Sequence, residues 1–160
     1  MKRTIIFLIA FISGYVYTEA QIKYLLTAGT EVPVTASRSI DAYELKEGQI
    51  IGLVTANDVK TGTGKIVIPK GSQVTARVRT SLKQRVLANQ KRRLIIDIKD
   101  VKLANGVIIP LCDGVASFTT SRNTGDIDAV PLKYDSSGKL LIPTDYVIHA
   151  KVEVTQNLSM

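Results

Sequence analysis

A run of basic residues carries the clearest binding chemistry in the sequence. Seven lysines and arginines fall within residues 77–93, and no acidic residue interrupts them. A cluster of positive charge attracts an acidic protein, an anionic lipid or a nucleic acid. Modules that grip single-stranded nucleic acid add aromatic side chains on which bases stack, and this segment contains none. The sequence therefore favours an envelope protein partner, self-association or an anionic lipid contact over nucleic acid. The predicted contact residues are Arg77, Arg79, Lys83, Arg85, Lys91, Arg92 and Arg93.

The same segment also has a purely structural interpretation. Arginines carried on a strand pair readily with carboxylates on the next strand, and Asp97 and Asp100 are the carboxylates available nearby. The middle of the segment, residues 81–92, fits either two or three helical turns capped by Ser81 or a mobile basic loop between two long strands. Both alternatives stay open at this stage.

Three oxygen-bearing side chains in a second exposed loop give a weak metal candidate. Asn123, Asp126 and Asp128 lie close together, but their spacing is not that of an EF-hand and no glutamate closes the loop. We predict no resident metal and no cofactor. A module that binds an ion, a glycan or a lipid, at this loop or at the mouth of the fold, is the alternative function.

The sequence contains few of the residue combinations that catalytic sites use. The chain has one histidine and one cysteine, which excludes HExxH chemistry, multi-histidine metal cages and thiolate zinc sites. No GxSxG motif is present, and His149 is predicted on the polar face of a strand rather than beside a nucleophile. Cys112 is interpreted as a small apolar residue at a strand end. We therefore predict that the protein is not an enzyme.

A glycine-rich segment resembles a phosphate loop only superficially. Residues 61–65 read TGTGK, but they lack the GxxxxGK[ST] spacing and lead into a strand rather than a helix. The sequence predicts a glycine hairpin here.

The first twenty residues have the composition of an export signal. Lys2 and Arg3 precede an apolar run at residues 5–12, and Thr18 and Ala20 place small residues at positions −3 and −1 of a cleavage site before Gln21. We predict a signal peptide at 1–20 and a single exported β-domain at 21–160, with a retained N-terminal anchor as the alternative. The predicted location is the periplasm or the outer envelope.

The remaining chain shows the two-residue alternation of half-buried strands. Val74, Ala76 and Val78 alternate with polar residues, and so do Ile148, Ala150, Val152 and Val154. Leu94, Ile96 and Ile98 alternate with a mostly polar set, Ile95, Asp97 and Lys99. Further strands are predicted at 31–37, 50–55, 65–68, 107–111 and 115–120, with turns at glycine-containing segments that include Asn105-Gly106 and Asp113-Gly114. The predicted fold class is all-β, a small antiparallel barrel or sandwich.

An internal echo raises the question of two similar halves. The segment GKIVIP at 64–69 recurs as GKLLIP at 138–143, and each copy is followed by an alternating strand. One interpretation is shared strand–turn–strand composition; the other is two pseudo-symmetric halves.

Several segments taken in order carry a family resemblance. They are AGTEVPV at 28–34, GQIIGLV at 48–54, IVIPKGSQVTARV at 66–78, RLIIDI at 93–98 and LANGVIIPL at 103–111. Over residues 27–118 the chain resembles the C-terminal β-barrel domain of the TrbI family, a subunit of type IV secretion and conjugation channels. It is also similar to the C-terminal region of the TraM proteins of conjugative transposons. The resemblance implies an envelope scaffold or accessory barrel without catalytic residues. With five prolines and no apolar helical hairpin, the sequence departs from the family's bridging and pore-forming parts, so we do not carry pore formation over.

Overall fold

The computed structural model describes residues 23–83, 92–120 and 129–159, and in these ranges the chain forms strands, turns and loops but no helix. The predicted all-β class is confirmed. No helix in the described ranges has the length and apolar character needed to cross a membrane. The described residues form fifteen strands: β1 Lys23–Leu26, β2 Glu31–Thr35, β3 Ile40–Asp41, β4 Ile50–Thr55, β5 Val59–Lys60, β6 Ile66–Ile68, β7 Gln73–Thr80, β8 Arg93–Lys102, β9 Ile108–Cys112, β10 Val115–Thr119, β11 Ala129–Pro131, β12 Lys133–Tyr134, β13 Leu140–Ile142, β14 Ile148–Val152 and β15 Gln156–Ser159.

Six of these strands close a ring. The order is β8–β7–β4–β2–β14–β9, and β9 pairs again with β8. Every pairing in the ring is antiparallel. Closure gives each strand a neighbour on both sides over part of its length, so most backbone groups of the ring are satisfied internally.

The inside of the ring is the hydrophobic core, and the predicted alternation accounts for it. Residues of β7 and β14 are buried and exposed in turn, as a strand with one face on a core requires. Burial of these apolar side chains is the main favourable term in folding. Nine of the ten residues predicted to point inward are buried: Val74, Ala76, Val78, Leu94, Ile96, Ile98, Ile148, Ala150 and Val152. The prediction is wrong for Val154, which is 56% exposed because β14 ends at Val152 and the alternation does not continue beyond it.

Smaller sheets lie outside the ring. β1 pairs with β15, β5 pairs with β6, and β3, β13 and β12 form a three-stranded sheet. The β1–β15 pairing joins the two ends of the described chain, with Lys23 opposite Ser159 and Leu26 opposite Gln156. Leu26 and Leu158 from this pair are buried, so the small sheet covers part of the same core.

Asp113 and Gly114 do not reverse the chain, so the turn predicted there is wrong. β9 and β10 both run antiparallel to β8, one after the other along the same edge. Asp113 has a left-handed φ of 59° and lies at the break between the two strands. A Cβ added to Gly114 would lie 2.7 Å from the Cβ atoms of both Ile98 and Ala150. Glycine is needed here because the backbone passes directly against two core side chains.

Three hairpins share one turn design, which explains the internal echo. They span residues 61–65, 103–107 and 135–139. In each, the fourth residue is a glycine whose N–H donates to the first residue's carbonyl, at 2.9, 2.9 and 3.1 Å. The first residue's N–H donates to the fifth residue's carbonyl, at 2.8, 2.9 and 3.0 Å. The glycines have left-handed φ values, as a type I turn followed by a bulge requires; they are Gly64 at 82°, Gly106 at 86° and Gly138 at 79°. The glycine hairpin predicted at 61–65 is confirmed.

The echo extends to the strands that follow these turns. β6 leads into the ring strand β7, and β13 leads into the ring strand β14. Beyond this the two copies differ, because β6 pairs with β5 whereas β13 pairs with both β12 and β3. The repeated sequence therefore encodes the same local unit in two different sheet surroundings.

Candidate partner-binding face

The strand-borne arginines of the basic cluster lie on the outer face of the ring. Arg77 and Arg79 alternate with the buried Ala76 and Val78 on β7, so both side chains point outward. Arg93 begins β8 on the neighbouring strand and is also exposed. Pairing of β7 with β8 therefore brings together residues from the two ends of the cluster.

The rest of the predicted cluster is described only in part. Lys83 and Arg92 are exposed and stand at the two borders of residues 84–91. Arg85 and Lys91 lie outside the described residues. The choice between a helix and a loop for 81–92 falls mostly on this segment and stays a prediction.

Asp97 forms an ion pair with Arg79 across the two strands. Arg79 Nε donates to Asp97 Oδ2 at 2.9 Å, and Arg79 Nη2 lies 2.7 Å from Oδ1. The predicted pairing of a strand arginine with Asp97 is thus confirmed. The register of β7 against β8 shifts between Val78 and Thr80, which places Arg79 at the irregularity. Lys99 Nζ lies 3.8 Å from Asp97 Oδ2, so one carboxylate faces two cations.

Arg77 has no ion pair within the described part of the chain, although it stands opposite Asp97 in the register. Its Nη2 atom would lie 3.8 Å from a Cβ placed on Gly48, which shows that the guanidinium extends toward the turn before β4. A guanidinium has five N–H donors in a planar fork that matches the geometry of a carboxylate. Arg77 therefore presents N–H donors to which an incoming carboxylate can form hydrogen bonds.

A groove of about 390 Å³ lies between these side chains. Three cationic and two anionic side chains line it, which leaves a positive excess. The lining residues are Glu47, Gly48, Arg77, Val78, Arg79, Asp97 and Lys99. Such a groove suits an acidic group that displaces water from the cations.

Exposed apolar side chains flank the charged groups. Ile50 is opposite Arg77, Arg77 is opposite Asp97, and Asp97 is opposite Val115, so these four residues form one row across four strands. Ile50 is 59% exposed and Val115 is 49% exposed. Apolar residues beside hydrogen-bonding arginines are typical of protein interfaces. Sequence reasoning missed Ile50 and Val115 because only the register places them beside the arginines.

The other candidate residues do not assemble a reactive site in the described ranges. His149 is exposed on the outer face of β14, as predicted, and its Nδ1 contacts Glu31 Oε1 on β2. Cys112 is half-buried at the end of β9 and forms no disulfide. No group of three His, Cys, Asp or Glu side chains is close enough to hold a metal in the described chain. Asn123, Asp126 and Asp128 lie outside the described residues.

Comparison of the chain with protein-family models gives no match. Comparison with curated proteins likewise gives none.

Proposed function

We propose that this protein is an exported, non-enzymatic binding domain of the bacterial envelope that acts in assembly through protein–protein contact. The outer face of β4, β7 and β8 is the proposed contact surface, and an acidic protein is the proposed partner. An accessory or scaffold role in a type IV secretion or conjugation apparatus is the setting that the resemblance over residues 27–118 supports.

The observation that carries the proposal is Arg77, which lies beside an exposed groove and has no ion pair among the residues that the structure describes. Asp97 neutralises Arg79, but Arg77 and Lys99 leave the face positive. Because ring closure uses most backbone groups of β7 and β8, the outward side chains of these two strands are available to recognise a partner. Complementary charge raises the association rate and sets orientation, while Ile50 and Val115 supply apolar area.

A protein partner fits this face better than nucleic acid. The outward residues of β7 and β8 are arginine, lysine, aspartate, threonine, glutamine and one isoleucine, with no aromatic ring among them. Bases would find no stacking platform there. The apolar rim and the mixed charges are instead those of a protein contact.

Capture of a partner from envelope extracts tests the proposal. Immobilised wild-type protein should retain a defined partner, and the double variant Arg77→Glu/Lys99→Glu should lose most of it. The matched control Lys23→Glu/Lys60→Glu makes the same charge change at exposed lysines away from this face and should retain the partner. Equal loss from both double variants would show an effect of net charge alone and would contradict the proposed face.

Two direct measurements test the lipid alternative and the export proposal. Sedimentation with vesicles containing anionic phosphatidylglycerol should pull down no more of the protein than neutral phosphatidylcholine vesicles do. N-terminal sequencing of protein from the envelope fraction should begin at Gln21. Protein found only in the cytosol and starting at Met1 would contradict export.

A further inference from the structure

The ring has an opening along one edge of β4. β4 pairs with β7 from Ile50 to Val54, but it pairs with β2 only at Val54 and Thr55. After Thr35 the chain leaves the sheet and passes through a bend at Ser37 and Arg38. Residues 50–53 of β4 therefore have a strand on one side only.

The alternation of hydrogen-bonded residues along β4 shows which backbone groups face this opening. The Gln49 carbonyl accepts from the Val78 N–H at 2.9 Å, and the Thr55 N–H donates to the Ser72 carbonyl at 3.0 Å. Both bonds point toward β7. In an antiparallel pair the residues face the neighbour alternately, so the odd-numbered residues 49–55 bond to β7 and residues 50 and 52 face away. Ile50 and Gly52 have no backbone hydrogen bond on that side within the described chain.

A second groove, of about 450 Å³, lies over this part of β4. A Cβ added to Gly52 would meet no atom within 4 Å, so the space above its backbone is open. Ile50 stands beside it with 59% of its surface exposed. The lining residues are Ser37, Arg38, Ile50, Ile51, Gly52, Leu53, Val54, Gln73, Val74 and Thr75, and none of them is acidic.

The charge around the groove identifies the complementary chemistry. Arg38 lines it, is exposed, and has no ion pair within the described residues. Arg77 lies on the next strand, opposite Ile50, and is likewise unpaired there. An occupant with an extended backbone, an apolar side chain for Ile50 and acidic side chains is complementary to the open edge, to the exposed Ile50 and to the positive charge of the two arginines.

We propose that an extended segment of the acidic partner adds to the ring as a strand along β4, with its backbone bonded to Ile50 and Gly52. This rests on the function proposed above and specifies how the partner binds. Strand addition of this kind takes its affinity from backbone hydrogen bonds and its specificity from alternate side chains.

Amide hydrogen exchange in the free protein tests the open edge. The amides of Ile50 and Gly52 should exchange on the order of 100-fold faster than those of Ile51 and Leu53, whose N–H groups bond to β7. Similar protection of all four amides in the free protein would overturn the proposal, because no backbone group would then be available.

A peptide probe tests strand addition itself. The heptapeptide Thr-Val-Asp-Val-Asp-Val-Thr at millimolar concentration should slow exchange at Ile50 and Gly52, and its lysine counterpart Thr-Val-Lys-Val-Lys-Val-Thr should not. Absence of protection by the acidic peptide, or equal protection by both peptides, would contradict the assignment of an acidic strand.

Variants at Gly52 separate this inference from the proposed function. Gly52→Pro removes the outward N–H and should abolish peptide protection and partner capture, whereas Gly52→Ala retains the N–H and should preserve both. Partner capture that survives Gly52→Pro but is lost in Arg77→Glu/Lys99→Glu would leave the basic face in place and overturn strand addition. Capture lost in neither would overturn both. The exchange experiment on the unmodified protein decides the matter if Gly52→Pro does not fold.

Discussion

Arg79 on β7 holds Asp97 on β8 through two contacts, Nε to Oδ2 at 2.9 Å and Nη2 to Oδ1 at 2.7 Å. The Asp97 side chain is only 14% exposed, whereas that of Arg79 is 56% exposed. The carboxylate therefore sits within the sheet surface and the guanidinium covers it. This pairing fixes one arginine to the fold and leaves Arg77, two residues earlier, with its donors available.

Replacement of Arg79 by alanine should destabilise the fold moderately. The change removes a two-point pair and leaves a partly buried carboxylate without its guanidinium partner, so the free energy of unfolding should fall by about 1 kcal/mol. Urea denaturation measures this difference. The matched control is Lys133→Ala at the more exposed pair Lys133–Asp145, where both side chains are over 60% exposed and the loss should be smaller. An equal loss at the two pairs would contradict the contribution assigned to burial of Asp97.

Replacement of Gly114 by alanine should destabilise the fold more strongly. The new Cβ would lie 2.7 Å from Cβ atoms of Ile98 and Ala150, which are backbone-anchored and cannot rotate away. Overpacking of this kind costs about 1–3 kcal/mol. Gly62→Ala is the matched control, because no atom lies within 4 Å of its added Cβ and its φ is not left-handed. Thermal unfolding of the two variants should show a clear fall in Tm for the first and little change for the second.

The strand faces could be predicted from the sequence because burial repeats every two residues. Val74, Ala76 and Val78 on β7 and Leu94, Ile96 and Ile98 on β8 repeat with this period, and all six are buried. The glycine turns could be predicted for a similarly local reason, since a left-handed φ favours glycine. Features set within a few neighbouring residues are the ones that the sequence pattern specifies.

Features set by distant contacts could not be predicted in this way. An Asp-Gly pair between apolar strands is a common hairpin signal, but Gly114 is required by its closeness to Ile98 and Ala150. β15 contains the polar pair Gln156-Asn157 and shows no alternation, and its pairing with β1 forms between chain segments more than 120 residues apart. The same reason hides the open edge at Gly52, which exists only because β2 leaves the sheet.

Thr55 is a buried hydroxyl whose loss should be measurable. Thr55 Oγ1 donates to the Pro69 carbonyl at 2.7 Å and accepts from the Ser72 N–H at 3.0 Å, and the residue is 1% exposed. Thr55→Val keeps the shape but removes the donor to Pro69, so the free energy of unfolding should fall by about 1–3 kcal/mol. Thr55→Ser keeps the hydroxyl and should lose less. Urea denaturation of both variants checks this, and a valine variant as stable as the serine variant would contradict the role of the hydroxyl.

Asp135 should make the 135–139 hairpin sensitive to acid. The side-chain hydrogen bond from Ser137 and then the backbone hydrogen bond from Lys139 lower the pKa of Asp135 below its usual value of 3.8. Because the pKa is lower in the folded state, this carboxylate stabilises the fold above the unfolded value, and the contribution is lost as the pH falls through the folded pKa. Asp135→Asn retains an oxygen acceptor but cannot titrate. Its Tm should therefore fall less than that of the wild type between about pH 5 and about pH 2, the range that brackets the reference pKa of a carboxyl group. Asp58→Asn, at a residue whose carboxylate accepts from the Lys70 N–H at 2.7 Å in a different turn, provides the comparison. Parallel pH profiles for wild type and Asp135→Asn would show that the hairpin carboxylate does not contribute to the acid response.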